Sequence, residues 1–273
     1  MLSIPEALDT QAKAALTKAR DLKRPGAFTV SGLLGGAYVG VGVILMVSTA
    51  GPLLAAGDPL TKLVSGLVFG VALTLVVFAG AELVTSTMMT AVQGFAAKSI
   101  GGRTAVRLIA TTFALNFVGA ALFAALIVAS GVLETNAAAG AMVHELLLSK
   151  SLLTPLELVI RGTLCNVLVC LAVWMGVRIV APGPRIAVIL LAMLAFVSAG
   201  FEHVVANMTT YWIGVLLRDP AASAPLFAEN MLFVGLGNLV GGGLLVGIVY
   251  WVLAGRPRGE AAEQPLDTDA VRP

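Results

Sequence analysis

Long apolar runs dominate this chain, and short polar stretches separate them at intervals that suit helices crossing a bilayer. A crossing needs about 20 mostly apolar residues. The pattern predicts six spans, at about 28–50, 62–95, 106–131, 156–180, 185–217 and 231–253. The second and fifth are over-long and carry polar residues midway, so each is predicted as an interrupted span. No run has the period-two alternation of a membrane barrel. Residues 1–26 are polar and helix-prone, and the first span is too long for a leader core, so no cleavable signal peptide is expected. Leu8, Ala12, Ala15 and Leu16 share one face of that segment at helical spacing, with lysines and arginines opposite. It reads equally as a helix on the membrane surface and as a plain solvated helix. Residues 256–273 are polar and proline-containing, and read as a disordered tail.

Composition narrows the class. Of 273 residues, 58% are hydrophobic and 12% charged, against about 25% charged in ordinary soluble domains. So few charges cannot coat a water-facing surface, which sets aside a soluble enzyme and a disordered chain. A net charge of +2 is too small to suggest a nucleic-acid partner. Thirty glycines with only 6% aromatics favour closely packed helices. Cys165 and Cys170 lie in one apolar run and read as packing residues, not as a disulfide or a metal pair.

Charge then sets orientation. Lys13, Lys18, Arg20, Lys23, Arg24, Lys98, Arg103, Arg107, Arg178, Arg185, Arg256, Arg258 and Arg272 fall on one side, leaving Lys62, Lys150, Arg161 and Arg218 for the other. Both termini are therefore expected in the cytoplasm, as an even number of spans requires.

The chain also repeats. Ala79-Gly80-Ala81-Glu82 through Met88 aligns without gaps on Ala199-Gly200-Phe201-Glu202 through Met208, a shift of 120 residues. Asn116-Phe117-Val118-Gly119 aligns on Asn238-Leu239-Val240-Gly241 at 122. Two matches at nearly one offset indicate duplication. Three spans per half would make the second copy enter from the opposite side, as a 3+3 inverted repeat whose site lies where broken helices meet. The predicted breaks are Glu82–Thr87 and Glu202–Asn207.

Polar groups at membrane depth need partners, because a charge there costs roughly 2.5–3.5 kcal/mol on insertion scales. Glu82 and Glu202 are read as staples that accept freed backbone N–H groups of their own loops, ahead of direct contact with a solute. Thr85, Ser86 and Thr87 are read as caps for a half-helix starting near Met88, with a second starting near Met208. Two such N-termini focus positive potential at the midplane and favour anions. His203 falls at the second break and is the residue expected to act on a solute, by hydrogen bonding or proton transfer. His144 reads as a solvated surface residue in a polar loop. Lys150, alone, reads as a solvated loop lysine. Phe69, Leu73 and Phe196, alone, read as core or lipid-facing residues. Asn116, Asn166 and Asn238 read as interhelical hydrogen bonders. Two histidines and no suitable cluster leave a metal site or an embedded enzyme without support, and no cofactor is expected. A neutral-solute pore for water or ammonia is the nearer rival.

The runs Gly80–Thr87, Ser198–Met208, Gly237–Gly243 and Cys165–Met175 resemble the formate/nitrite transporter family, and the likeness extends over about residues 28–255. The resemblance implies an all-α, polytopic, aquaporin-like protomer in a homopentamer, with one pore per protomer, in a bacterial-type inner membrane. It implies passage of small monovalent anions of weak acids: nitrite, formate or hydrosulfide, with protons possible as partners. It places Thr85 opposite His203, makes Phe69, Phe196 and Leu73 the hydrophobic constrictions, puts Lys150 in the extracytoplasmic vestibule, and makes Asn166 and Asn238 pore-associated. Position 84 is Val here, where the family pattern has Phe or Leu. Gly36–Gly42, Phe69–Leu75 and Arg161–Asn166 resemble nitrite channels, while Leu83–Thr87 is nearer the formate branch. Nitrite is the expected substrate and formate the alternative. The expected organisation is an amphipathic segment 1–26, a channel domain 27–255 with halves at about 27–131 and 156–255, and the tail 256–273. The N-terminal segment and the loop around Arg218 are the candidates for gating.

Overall fold

The computed structural model describes residues 1–257, so most of the tail expected at 256–273 lies outside the described residues. The chain is all-helical there. Helix α1 (Ile4–Asp21) opens on a capping box, with Ser3 N–H donating to Glu6 Oε2 at 2.7 Å and Glu6 N–H donating back to Ser3 Oγ. Then follow α2 (Pro25–Ala55), α3 (Thr61–Leu75) with a π-helical turn at Val76–Gly80, α4 (Val84–Ala96) and α5 (Gly102–Ala129). The connection to the second half is helical: α6 (Val132–Thr135) and α7 (Ala137–Ser151). The second half has α8 (Pro155–Arg178), α9 (Pro182–Ser198), α10 (Val204–Leu216) and α11 (Ala224–Leu239). The last runs through a π-helical segment, Val240–Ile248, into α12 (Val249–Leu253).

Among the described residues five helices are long and apolar enough to cross a membrane: Pro25–Ala55, Thr61–Gly80, Gly102–Ala129, Pro155–Arg178 and Ala224–Leu253. The stretch predicted as an interrupted fifth span comprises two shorter apolar helices, α9 and α10. The helices pair closely where side chains are absent. A Cβ on Gly119 of α5 would overlap the Leu33 carbonyl of α2, and one on Gly237 of α11 would overlap the Val159 carbonyl of α8. Larger residues at these two points would force the backbones apart.

Helix α1 lies on neither solvent nor lipid along its apolar face. Ala7, Leu8, Ala12 and Ala15 are at most 3% exposed. Ala7 and Leu8 belong to a cluster with Met89, Cys170 and Trp174, and Ala15 to one with Ala91 and Leu108. Both readings of the segment's apolar face are thus corrected: α4, α5 and α8 cover it. Leu2 N–H donates to the Arg178 carbonyl, and Arg178 Nε donates to the Leu2 carbonyl, tying the chain start to the end of α8. The expected polar loop around residue 144 is also corrected, because Asn136 caps α7 by accepting from Ala139 N–H. His144, on that helix, remains half-exposed and sits 2.7 Å from Asp219 Oδ2.

Candidate functional site

The two breaks are built alike. After α3, Gly80 takes φ +83°, and after α9, Gly200 takes φ +73°; both values favour a residue without Cβ. Three residues follow outside any helix, and α4 and α10 begin at Val84 and Val204. The expected starts near Met88 and Met208 are therefore one turn late. Freed backbone groups need partners at this depth. Asn116 Oδ1 accepts from Val84 N–H at 2.8 Å, while its Nδ2 donates to the Glu82 and Gly32 carbonyls, both at 2.8 Å. Asn238 repeats the pattern: Oδ1 accepts from Val204 N–H at 3.0 Å, and Nδ2 donates to the Glu202 carbonyl at 3.0 Å and the Gly162 carbonyl at 2.8 Å. Glu82 N–H reaches the Ser31 carbonyl, and Glu202 N–H the Arg161 carbonyl.

The staples are thus asparagines of α5 and α11, not the glutamates. Each glutamate side chain turns to a cation instead. Lys18 of α1 pairs with Glu82 Oε2, and Thr87 Oγ1 donates to the same oxygen at 3.3 Å. Lys150 of α7 binds both Glu202 oxygens at 2.9 and 2.7 Å. Asn207 Nδ2 donates to Glu202 Oε2 at 2.6 Å and to Asn230 Oδ1 at 2.8 Å. Lys150 is therefore not the solvated loop lysine expected from sequence: its side chain is 11% exposed, near the end of a helix, and Glu202 neutralises it.

The capping expectation also changes. Leu83 is the N-cap of α4 and gives no side-chain bond. Thr85 and Ser86 lie inside the first turn, where Ser86 Oγ donates back to the Leu83 carbonyl. At the second break the N-cap is His203, whose Nδ1 accepts from Ala206 N–H at 3.2 Å. An accepting Nδ1 places the proton of the neutral ring on Nε2. Nε2 lies 3.2 Å from Thr85 Oγ1, so one half-helix N-terminus faces the other through this pair. Thr85 is fully buried and His203 is 5% exposed.

Aromatic rings lie beside it. Phe196 stacks on the His203 imidazole at 6.0 Å between centroids, and Phe69 meets Phe196 edge-on at 5.7 Å. Behind Thr85, Asn166 Nδ2 donates to the Thr85 carbonyl at 3.1 Å and to the Asn238 carbonyl at 2.6 Å. Cys170 Sγ lies 3.4 Å from the same Thr85 carbonyl. Leu73, one turn from Phe69, lines a cavity of about 280 Å³ with Val76, Glu82 and Ser86. Phe69, Thr85, Phe196 and His203 thus form one contiguous group, with Asn166 and Asn238 supporting its frame. Among the described residues no three His, Cys, Asp or Glu side chains converge on a metal position. The residue that sequence reading missed is Lys18. Its signal was spacing: it continues the buried stripe Ala7, Leu8, Gln11, Ala12, Ala15 by one further turn.

A sequence profile described as formate/nitrite transporter matches residues 5–252. The chain belongs to the formate/nitrite transporter family. Family membership agrees with the all-helical, multi-pass architecture. A nitrite transporter NirC from Escherichia coli (strain K12) is 36% identical over 271 residues, covering 96% of this chain and 98% of that one. A formate channel FocA from the same organism is 36% identical over 213 residues, covering 71% and 74%. Among solved structures, an "FNT family ion channel" superposes with a TM-score of 0.84 at 34% identity, covering 91% of this chain and 98% of that one. A "pentameric formate channel with formate bound" superposes with a TM-score of 0.74 at 27% identity, covering 88% and 98%. Family members bear names of transporters and channels, not of enzymes.

Proposed function

We propose that this chain is a membrane channel for small monovalent anions of weak acids, with nitrite as the substrate. The buried Thr85–His203 pair between two half-helix N-termini carries this reading. The two helix dipoles favour negative charge there. The flanking Phe69, Phe196 and Leu73 strip water, so a passing anion must find its replacement donors at that pair. Near-full-length similarity to NirC supports nitrite over formate, and similarity to FocA makes formate the alternative. Hydrosulfide belongs to the same chemical class.

The ring geometry favours hydrogen-bond donation over proton transfer. With Nδ1 accepting from Ala206 N–H, the neutral imidazole has one N–H, on Nε2. Giving that proton to the anion would leave an imidazolate. Donating a hydrogen bond from Nε2, with help from the Thr85 hydroxyl, costs no such charge. Asn166, Asn238 and Asn207 hold the frame, as do Ser86, Thr87, Glu82 and Glu202.

The same reading takes the chain as a homopentamer of six-span protomers, supported by the pentameric formate channel among its structural neighbours. It takes the halves at about 27–131 and 156–255 as inverted copies, supported by the matching hydrogen bonds of Asn116 and Asn238. Both termini are assigned to the cytoplasmic face of a bacterial inner membrane. The bonds between Leu2 and Arg178 support one face for the start of the chain and the α8–α9 connection. The test is flux of nitrite, formate and hydrosulfide through the purified chain in liposomes at two pH values. Saturable or gradient-driven nitrite flux is expected. Water flux with no anion flux would overturn the reading.

A further inference from the structure

A pore that collects anions needs positive potential at its mouths, yet both obvious cations are spent. Lys18 is neutralised by Glu82, and Lys150 by Glu202. A third cation stands elsewhere. Arg185, in the first turn of α9, lines a cavity of about 300 Å³ together with Thr10, Val77, Val173, Gly176 and Ile189. This cavity meets the one beneath Leu73 at Val77 and Val173, which line both. One edge of the guanidinium is anchored, because Nη2 donates to the Ile179 carbonyl at 2.8 Å. Its Nε is buried and has no hydrogen-bond partner. Among the described residues no carboxylate pairs with it. Burying a charged donor without a partner is unfavourable. A planar guanidinium suits a small carboxylate or nitrite, whose two oxygens match its fork of donors.

We propose that Arg185 is a docking site for a small monovalent oxyanion at the N-terminal-helix end of the pore. The anion pauses there, passes Val77 and Val173 into the cavity beneath Leu73, and then reaches Thr85 and His203. Lys150, being paired, gives the opposite mouth no equivalent, so conduction from the Arg185 end is the more efficient of the two. This inference rests on the channel reading above.

Excised membrane patches carrying the full-length chain keep all channels in one orientation. Nitrite current is recorded with nitrite on each side in turn, at ionic strengths of 0.01 M and 0.15 M set by an impermeant salt, where the Debye length falls from about 30 Å to about 8 Å. Arg185→Gln is expected to reduce current from the Arg185 side about threefold at low salt, with a smaller loss at high salt. Current from the other side is expected to change little, and Arg185→Lys to retain most of it. Thr10→Asp supplies a second variant, because Thr10 is exposed and the substitution leaves the Ile179 bond intact. It sets a carboxylate across the cavity and is expected to give the same one-sided loss. An equal loss from both sides at both salts would mean that Arg185 only caps α8, and would overturn the proposal. So would unchanged currents in Arg185→Gln and Thr10→Asp beside a conducting wild type. A wild type that passes neither nitrite nor formate would overturn the channel reading itself.

Discussion

The breaks at Glu82 and Glu202 share a frame and differ in chemistry. Each has a glycine of positive φ, a glutamate paired with a lysine, and an asparagine that binds the glutamate carbonyl and the first N–H of the next helix. The difference lies at the N-cap. Leu83 gives the first half-helix no side-chain bond, whereas His203 caps the second and still presents Nε2 to Thr85. The cations differ too. Lys18 and Glu82 are 20% and 18% exposed and reach across from the N-terminal helix, while Lys150 and Glu202 are 11% and 6% exposed. The two breaks thus share one hydrogen-bond frame, while an imidazole stands at only one of them.

The sharpest test of the shared frame is removal of the asparagines. Asn116→Leu and Asn238→Leu each orphan one N–H and two carbonyls, so each should lose about 3 kcal/mol or more of stability, at about 1–3 kcal/mol per buried group left unpaired. Thermal unfolding in detergent measures this. Tolerance of one substitution but not the other would break the equivalence. The cations should separate the two regions next. Lys150→Met leaves a buried carboxylate uncompensated and should cost about 3 kcal/mol. Lys18→Met acts on a wetter pair and should cost about 1 kcal/mol or less. Equal losses in the same unfolding assay would remove that distinction.

The chemical difference is tested by His203→Asn. Asparagine is a good N-cap, so α10 should keep its start while Nε2 is lost. Nitrite flux in liposomes should fall roughly tenfold, which corresponds to about 1.4 kcal/mol. Leu83→Met, at the matching position, should leave flux within about twofold, since volume-conserving apolar swaps are tolerated best. Similar effects at both positions would place the reactive group elsewhere. The smallest effect is expected at His144. Its hydrogen bond to Asp219, and then that residue's charge, raise the imidazole above its ordinary value of 6.5. The stabilisation is therefore full below about pH 6.5 and is lost as pH rises through the folded-state value. NMR titration should show the raised midpoint, and Asp219→Asn should return it toward 6.5. An unshifted wild-type midpoint would discard this pair.

Much of this was legible along the chain. Apolar runs interrupted by Glu82 and Glu202 marked both breaks, because polar residues within such runs demand a local reason. The repeated Ala-Gly-x-Glu and the two Asn-x-Val-Gly segments marked their equivalence. The roles of the polar residues were less legible. Along the chain a glutamate at a break reads as a staple, because a carboxylate accepts from backbone N–H groups. An asparagine amide both accepts and donates, so it satisfies an N–H and two carbonyls at once, which no carboxylate does. Nothing along the chain pairs Lys18 or Lys150 with its glutamate, because the partners lie 64 and 52 residues away.

What the residues dictate locally is helix, helix break and burial: hydropathy sets the length of the apolar runs, and glycine permits the positive φ at Gly80 and Gly200. His203 could be named from its place at a break. Which group it would face across the molecule could not, since Thr85 Oγ1, 118 residues away in sequence, reaches it only when the halves pack against each other. Packing likewise decided that Lys150 is neutralised while Arg185 keeps an unpartnered Nε. Charge in sequence counts residues. Potential in a pore depends on which charges are left unpaired, and tertiary contacts alone set that.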